Sequence, residues 1–544
     1  MAAAAAFAGL LLLPSAAWLW LDAHVWDWDP AEYGYFAIDL WRSLWTAPRL
    51  WPWLFFHAVG PKAPTLIWIA QFALPLRHVF GSAETVFHLI NLAFQWGSLF
   101  LLWRCVRRAT GENGVALAAC LWLAGMPLFV GMSQDFLTEP LQLFAVMFIW
   151  FIAVSGEGWS ASKLAAFLLW GGALALGAKA STPVYCVVPG AYSLVLLWKS
   201  LRSRNGGLNA WNAAGIATGA VHLAVISAWY ALNRSEALQK VVDASVGETA
   251  YHFGYQDTFL NKMVFWIGSL GQALTLRAMA PLLILAAAGP AAAFAWTAWK
   301  GKGRVGRRRA PGRVFALAGA QVVIVLIVLS INISTPIRYV YALFPSVLLL
   351  VASLAGGGGG GGTRRWTLAC LGAWFLGSQA LLTGAVPCAE TAQARHWAAP
   401  ERDPARIRQV RSLVKRLNVP RYDGVYHLCG ADFPWLSGST LNYYAALDSL
   451  DSGRRTQFAR LGSFVTEVEP AWSRVHGQLG SYLAASEAHM EARTDAYGRV
   501  AREILGRIQR DPRFAREPRA EWPDIVLYRN VRMGEPGEEG GRQP

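Results

Sequence analysis

Acidic side chains gather directly after the first apolar segment of this 544-residue chain. The apolar run 2–21 ends at Asp22, and Asp27, Asp29 and Glu32 follow it closely. An ionised group costs several kcal/mol inside hydrocarbon, so these carboxylates either stay in water or take part in chemistry. A carboxylate in such a place can accept a proton from a hydroxyl group. The alternative that the cluster alone leaves open is a solvated cap on the helix end.

Further polar residues stand at the ends of later apolar segments. They are Asp135, Glu139, Lys179, Arg338 and Tyr339. Cations at such ends can bind an anionic group, whereas carboxylates there need water or a positively charged partner. Structural alternatives exist for three of them: Lys179 as a snorkelling side chain, Glu139 as a first-turn acid, and Tyr339 as an interfacial aromatic. Arg338 gains little from the dipole of a helix that starts beside Pro336, which favours an anionic partner.

The composition requires a membrane around these residues. Hydrophobic residues make up 54% of the chain, which contains 27 tryptophans, and the mean hydropathy is +0.31. These values exclude a soluble globule and indicate a protein that crosses the membrane many times. Eleven runs are long enough to span a bilayer. They cover 2–21, 85–103, 114–132, 138–155, 163–178, 183–198, 211–232, 278–299, 313–331, 337–355 and 366–386.

The net charge of +15 is explained by topology rather than by a nucleic-acid partner. Basic residues concentrate in alternate gaps between the apolar runs. These are Arg104, Arg107, Arg108, Lys163, Lys199, Arg202, Arg204, the cluster 300–313, Arg364 and Arg365. The positive-inside rule therefore places the N-terminus in the cytoplasm and the C-terminal region outside. The six cysteines have no CxxC spacing, which argues against a metal cluster, and Cys388 and Cys429 are a possible disulfide in an oxidising outer compartment.

We therefore predict an α-helical polytopic membrane protein with about eleven transmembrane helices and a small C-terminal α/β domain. The membrane domain covers 1–386 and includes the outer loops 22–84 and 233–262. Periodicity predicts helices over 404–417 and 481–508 and strands over 424–428 and 524–529, within an extracytoplasmic domain 387–532. The tail 533–544 is predicted to be disordered.

Short motifs on the predicted outer side resemble those of the GT-C superfamily of integral membrane glycosyltransferases. The bacterial branch related to protein O-mannosyltransferases and to lipid A aminoarabinose transferases is the most similar. Asp29-Pro30-Ala31-Glu32-Tyr33 resembles the Asp-Glu-x-x-Tyr motif of the first outer loop, with Pro30 where many members carry the second acid. Lys62-Ala63-Pro64 and Phe80-Gly81-Ser82-Ala83-Glu84 resemble the Lys-Pro-Pro and Phe-Gly-x-x-Glu elements, and 135–140 resembles the acidic motif before the fourth helix.

The resemblance implies transfer of a sugar from a polyprenyl-phosphate donor to a hydroxyl group of a glycan, lipid or protein, with inversion. It implies a site on the outer face of a bacterial cytoplasmic membrane. Asp29 is then the catalytic base, with Glu32 as the candidate second acid. Asp135 and Glu139 would orient the acceptor or a metal ion. The positions that would bind the donor phosphate are Lys62, Lys179, Arg338 and Tyr339.

No cofactor is required by this scheme, and a divalent cation is an option. His252 in the loop 233–262 is the candidate metal ligand, with an ordinary hydrogen bond as the alternative for a lone histidine. A different class of function is a transporter or flippase for a lipid-linked or anionic substrate. Transporters place ionisable groups near the bilayer midplane and often contain inverted repeats, whereas here the charges gather at one surface. A non-catalytic membrane scaffold is the third alternative.

Overall fold

The structure is a computed structural model. It describes residues 1–57, 62–203, 209–247, 250, 254, 257–288, 309–355, 361–394, 396–418, 426–430, 433, 435–460, 467–475, 479–485, 496–517, 522 and 524–531. The α-helices, in chain order, are α1 (Ala2–Leu11), α2 (Leu13–Leu21), α3 (Trp28–Thr46), α4 (Trp51–His57), α5 (Thr65–Ala73), α6 (Arg77–Phe80), α7 (Ala83–Thr110), α8 (Asn113–Gly125), α9 (Pro127–Gln134), α10 (Glu139–Ser155), α11 (Ala161–Ala178), α12 (Thr182–Arg202), α13 (Ala210–Leu232), α14 (Arg234–Ser245), α15 (Phe259–Leu274), α16 (Arg309–Ile331), α17 (Phe344–Ala355), α18 (Gly361–Leu382), α19 (Ala389–Gln393), α20 (Ala405–Leu417), α21 (Gly438–Ser452), α22 (Val468–Val475) and α23 (Ala496–Arg510). The strands are β1 (Tyr426–Cys429), β2 (Gln457–Arg460), β3 (Leu479–Ala485), β4 (Phe514–Glu517) and β5 (Ile525–Asn530), and short 3-10 helices cover Leu74–Leu76, Arg277–Met279 and Ile337–Leu343.

Contacts divide the chain into two compact units. The first unit comprises Met1–Leu21 and Pro52–Pro400, and the second comprises Asp22–Trp51 and Glu401–Pro544. The acidic segment that follows the first apolar run is thus grouped with the C-terminal residues. The domain boundaries expected from the sequence place it in the membrane domain, and they stay a prediction.

The first unit has the helices of a membrane protein. Among the described residues, seven helical segments are long and apolar enough to cross a bilayer, and two bent pairs raise the number to nine. The predicted class, an α-helical polytopic protein with a small C-terminal α/β domain, is confirmed. The predicted number of eleven spans is not, partly because α10, with 17 residues, extends only about 26 Å.

One predicted span is interrupted in the structure, and a second bent helix pair lies at the start of the predicted span 278–299. The segment predicted as one span over 114–132 breaks between α8 and α9, which meet at an angle of 56°. Pro127 cannot donate a backbone hydrogen bond, and it holds Met126 in an extended conformation (φ −65°, ψ 130°). A second pair, Phe259–Leu274 and Arg277–Ala288, bends by 72°. The prediction of one continuous helix over 114–132 was therefore wrong.

The long helix α7 has clear signals at both ends. Ser82 caps its start, because the Ser82 hydroxyl accepts a hydrogen bond of 3.0 Å from the Thr85 amide. Arg107 and Arg108 lie in its last turn, where cations favour the helix dipole. Gly111 ends the helix with φ +75°, a conformation that a side chain would strain.

The second unit contains a five-stranded mixed sheet in the order β2-β1-β3-β5-β4. β1 pairs in parallel with β2 and β3, whereas β5 is antiparallel to β3 and β4. The prediction of a helix over 481–508 was wrong in its first part, because residues up to Ala485 form β3 and the helix α23 begins at Ala496. Pairing on both sides of β3 outweighs the local helical pattern.

His427 lies in the buried core of this sheet. Its Nδ1 is 2.7 Å from the Ser481 hydroxyl on the neighbouring strand β3. Burial, and secondarily the positive charge of Arg529, lower the pKa of His427 to about 4. The histidine is therefore neutral in the folded protein at neutral pH.

The cysteines are free thiols. Cys388 and Cys429, the pair considered for a disulfide, do not form one. Cys429 is buried on β1, where it acts as a small hydrophobic side chain.

Candidate active site

Three helix ends of the first unit meet at the carboxylate of Glu139. Glu139 is the first residue of α10, and Lys179 is the extended residue between α11 and α12 (φ −165°, ψ 143°). Arg338 lies in the 3-10 helix that follows Pro336. Proline favours the start of a helix because its fixed φ suits the first turn and it needs no amide partner there. The helix ends are therefore set locally, and tertiary packing brings their side chains together.

Lys179 and Arg338 converge on the Glu139 carboxylate. The Lys179 Nζ is 2.7 Å from Glu139 Oε1, and the Arg338 Nε is 3.5 Å from the same oxygen. The Glu139 side chain is only 1% exposed, whereas the two cationic side chains are 25% and 24% exposed. A buried carboxylate that holds two cations fixes their positions, and their exposed parts remain accessible to an anionic ligand.

An aromatic cluster lies beside Lys179. The Lys179 Nζ lies 5.4 Å from the centroid of the Tyr339 ring, within the range of a cation–π contact. The Tyr185 hydroxyl donates a hydrogen bond of 2.6 Å to the Tyr339 carbonyl. The Trp266 ring is stacked with the Tyr339 ring at a centroid distance of 6.5 Å. Tyr339 is thus held in place beside Lys179.

Asp135 lies on the segment just before α10. Asn91 of α7 donates a hydrogen bond of 2.7 Å to the Asp135 carbonyl, which fixes this part of the backbone. The His396 Nδ1 is 4.0 Å from Asp135 Oδ2, and the His396 side chain is 12% exposed. A protonated His396 would form an ion pair with Asp135 at this distance.

The segment that carries Lys62 approaches the end of α11. Thr65 begins α5 three residues after Lys62, and its hydroxyl lies so close to Gly177 that a Cβ there would collide with it. Gly177 precedes Lys179 by two residues. The predicted Lys62 segment is therefore brought to the same end of α11 as Lys179.

Asp29 and Glu32 lie in the second unit, at the start of α3. They are three residues apart on a helix, so they point to neighbouring parts of one face. α3 packs on α21, since a Cβ at Gly34 would lie 2.5 Å from the Tyr443 ring. Trp26, just before α3, is stacked on the same ring at 4.7 Å. The carboxylates are thus carried on a helix that is anchored within its own unit.

An ion pair anchors the far half of α3. Asp39 accepts two hydrogen bonds from the Arg455 guanidinium, at 2.9 Å and 3.0 Å. Arg42 donates to the Gly453 carbonyl at 2.9 Å. Ala37 and Ile38, on the same half of α3, are fully buried.

A metal site is not evident in the part of the chain that the structure describes. No group of three or more His, Cys, Asp or Glu side chains has the arrangement of a metal site there. The candidate ligand His252 lies outside the described residues. The divalent cation considered from the sequence thus stays an option.

Two residues near this site were missed by the sequence reasoning. His396 follows the last apolar run without any recognisable motif, and only the fold brings it to Asp135. Lys262 is 6% exposed in α15, one turn before Trp266, and its Nζ donates to the Asn332 carbonyl at 3.2 Å. A lysine within an apolar helical pattern was the available signal for Lys262, since such a residue is expensive to bury.

The helices of the first unit and the small mixed sheet of the second define a known fold. The chain has the fold of the GT-C glycosyltransferases, as the resemblance of its motifs predicted.

Among solved structures, ArnT from Cupriavidus metallidurans bound to undecaprenyl phosphate matches with a TM-score of 0.57 and 12% identity, over 96% of this chain and 97% of that one. The same protein in the apo state gives a TM-score of 0.56 and 13% identity, over 98% of each chain. Arabinofuranosyltransferase AftD from Mycobacteria gives 0.50 and 13%, over 96% of this chain and 40% of that one. At these identities the similarity establishes the fold. Comparison with protein-family models and with curated protein sequences gives no match.

Proposed function

We propose that this protein transfers a sugar from a polyprenyl-phosphate donor to a hydroxyl group of a glycan, lipid or protein acceptor. The observation that carries the proposal is the convergence of Lys179 and Arg338 on the buried Glu139 carboxylate. Two partly exposed cations held at one point form a binding site for the phosphate of a lipid donor. The full-length likeness to ArnT bound to undecaprenyl phosphate supports this choice of donor.

In the proposed reaction the acceptor hydroxyl attacks the anomeric carbon of the sugar. The bond between that carbon and the phosphate oxygen breaks, and its electron pair leaves with the polyprenyl phosphate. Lys179 and Arg338 stabilise the charge that develops on the phosphate, and Asp29 takes the acceptor proton. A single displacement inverts the anomeric centre.

The remaining predicted residues support these steps. Glu32 is the second acid beside the base, and Asp135 orients the acceptor or a metal ion. Glu139 was predicted for that orienting role, and its contacts favour a further one, which is to position the two phosphate-binding cations. Lys62 and Tyr339 complete the phosphate site.

We also propose the location of the enzyme. The chain is a multi-pass protein of a bacterial cytoplasmic membrane, with the N-terminus in the cytoplasm and the C-terminal domain outside. The distribution of basic residues supports this orientation. The enzyme then binds its acceptor on the outer face of the membrane.

The test is transfer by the purified protein in liposomes, with synthetic undecaprenyl-phosphate sugars as donors and mass spectrometry of the released undecaprenyl phosphate. Asp29→Asn is expected to lower the rate about 100-fold or more, as for the loss of a general base, while donor binding is retained. Asp451→Asn is the matched control, because Asp451 is an exposed acid of the same unit. It is expected to keep the wild-type rate.

Two results would contradict the proposal. If Asp29→Asn keeps more than about a tenth of the wild-type rate, Asp29 is not the base, and Glu32 is the next candidate. If the wild-type protein moves the intact donor between leaflets without releasing undecaprenyl phosphate, the protein is a flippase.

A further inference from the structure

A second charged region of the first unit lies far from Glu139. A cavity of about 680 Å³ opens between the ends of α7, α10 and α11. Its lining includes Arg104, Arg107, Arg108, Lys163, Phe151 and Trp159. Ser155, the last residue of α10, also lines it, so the cavity lies about 24 Å from Glu139 along that helix.

The cations of this cavity are held against aromatic rings. The Lys163 Nζ is 4.3 Å from the centroid of the Trp159 ring, and the Arg104 Cζ is 5.8 Å from that of Phe151. A cation stacked on a ring still has N–H groups that lie in its plane or point away from the ring, and these can donate to an anion. The wall is therefore both cationic and apolar.

The acidic residue of the cavity is paired with a cation outside the lining. Glu157 lies 2.9 Å from Arg313 Nη1, and its side chain is 64% exposed. Four cationic side chains therefore face the cavity beside one carboxylate that is already partnered. An anion entering it meets a favourable potential.

We propose that this cavity binds the phosphate headgroup of an anionic membrane lipid. Two features favour a lipid over a soluble anion. The cavity lies at the ends of membrane helices, where the phosphates of a leaflet are found. Its aromatic wall, which includes Phe151 and Trp159, suits the glycerol and acyl carbons that adjoin a lipid phosphate but offers nothing to a free phosphate ion.

A basic residue can lie at this end of the bundle, as the positive-inside rule predicts, without lining the cavity. Arg202 ends α12 at the same end of the bundle, since the hydroxyl of Ser200 in that last turn donates to the Trp159 carbonyl at 2.9 Å. Arg202 lies outside the cavity lining and stacks on Trp198 at 4.3 Å. It therefore serves as the matched control, with the same charge at the same membrane end.

The experiment is native mass spectrometry of the full chain in detergent, titrated with phosphatidylglycerol, phosphatidylcholine or inorganic phosphate at constant ionic strength. We expect the wild type to prefer phosphatidylglycerol. Neutralising an arginine that contacts the lipid phosphate weakens binding of an anionic lipid roughly fivefold. The double variant Arg107→Gln/Arg108→Gln should thus bind phosphatidylglycerol about 25-fold more weakly, and Arg202→Gln should change it less than twofold.

Three outcomes would overturn the proposal. The first is equal affinity of the wild type for phosphatidylglycerol and phosphatidylcholine. The second is an equal loss of phosphatidylglycerol affinity in the double variant and in Arg202→Gln. The third is displacement of phosphatidylglycerol by inorganic phosphate at similar concentrations. Glu157→Gln provides a second measurement if the double variant fails to fold, because Glu157 is exposed. Removing this carboxylate should strengthen phosphatidylglycerol binding at least twofold, and unchanged or weaker binding contradicts the assignment.

Discussion

Removing Lys179 should destabilise the protein mainly because it leaves the Glu139 carboxylate buried with a weaker partner. In Lys179→Met the 2.7 Å contact to Glu139 is lost, and Arg338 remains at 3.5 Å. Truncating one partner of a fully buried ion pair costs about 3–5 kcal/mol. Lys179 is a quarter exposed and Arg338 remains, so we expect a smaller loss of about 2–3 kcal/mol in the free energy of unfolding.

The companion variant Glu139→Gln should cost about 1–2 kcal/mol, because the partly exposed Lys179 can turn its ammonium group to water. The double variant contains no buried carboxylate and should lose only about 2 kcal/mol. The sum of the two single-variant losses therefore exceeds the loss in the double variant by about 2 kcal/mol. This difference is the coupling energy of the pair.

The assay is unfolding of the four proteins in mixed micelles by titration with sodium dodecyl sulfate, followed by tryptophan fluorescence. Glu157 and Arg313 give a control cycle, since their contact is also short, at 2.9 Å, but Glu157 is 64% exposed. An exposed pair should couple by less than about 0.5 kcal/mol. A Lys179–Glu139 coupling no larger than that of the control pair would refute our account of the buried carboxylate.

Two further predictions concern pH and topology. His427 is neutral when folded, with a pKa near 4 against about 6.5 when unfolded, so the unfolded state gains the proton first as the pH falls. The free energy of unfolding should therefore decrease by about 3 kcal/mol between pH 6.5 and pH 4, and His427→Asn should lack this component in unfolding titrations across that range. Cysteines introduced at the exposed positions Ser203 and Asp451 test the orientation in intact cells. A membrane-impermeant thiol reagent should label only Asp451→Cys once labelling of the native cysteines is subtracted. Labelling of Ser203→Cys alone would show that the orientation is the opposite of the one proposed.

Much of the molecule could be predicted from its sequence because membrane insertion is governed by local composition. Long apolar runs, such as those that became α7 and α13, must form helices in hydrocarbon, where every backbone polar group needs an internal partner. The change to a polar composition from residue 387 onward, which predicted the α/β domain, is likewise a property of the sequence alone. The positions of Glu139, Lys179 and Arg338 at helix ends also followed from the apolar runs beside them.

Only the tertiary structure decided which of these ends meet. Lys179 and Arg338 are far apart in the chain, and no local pattern specifies that both reach the same oxygen of Glu139. The placement of His396 beside Asp135, and the strand that replaced the start of the helix predicted over 481–508, have the same origin. Both depend on partners distant in sequence, and burial against those partners contributes more free energy than local propensity, which amounts to only a few tenths of a kcal/mol per residue.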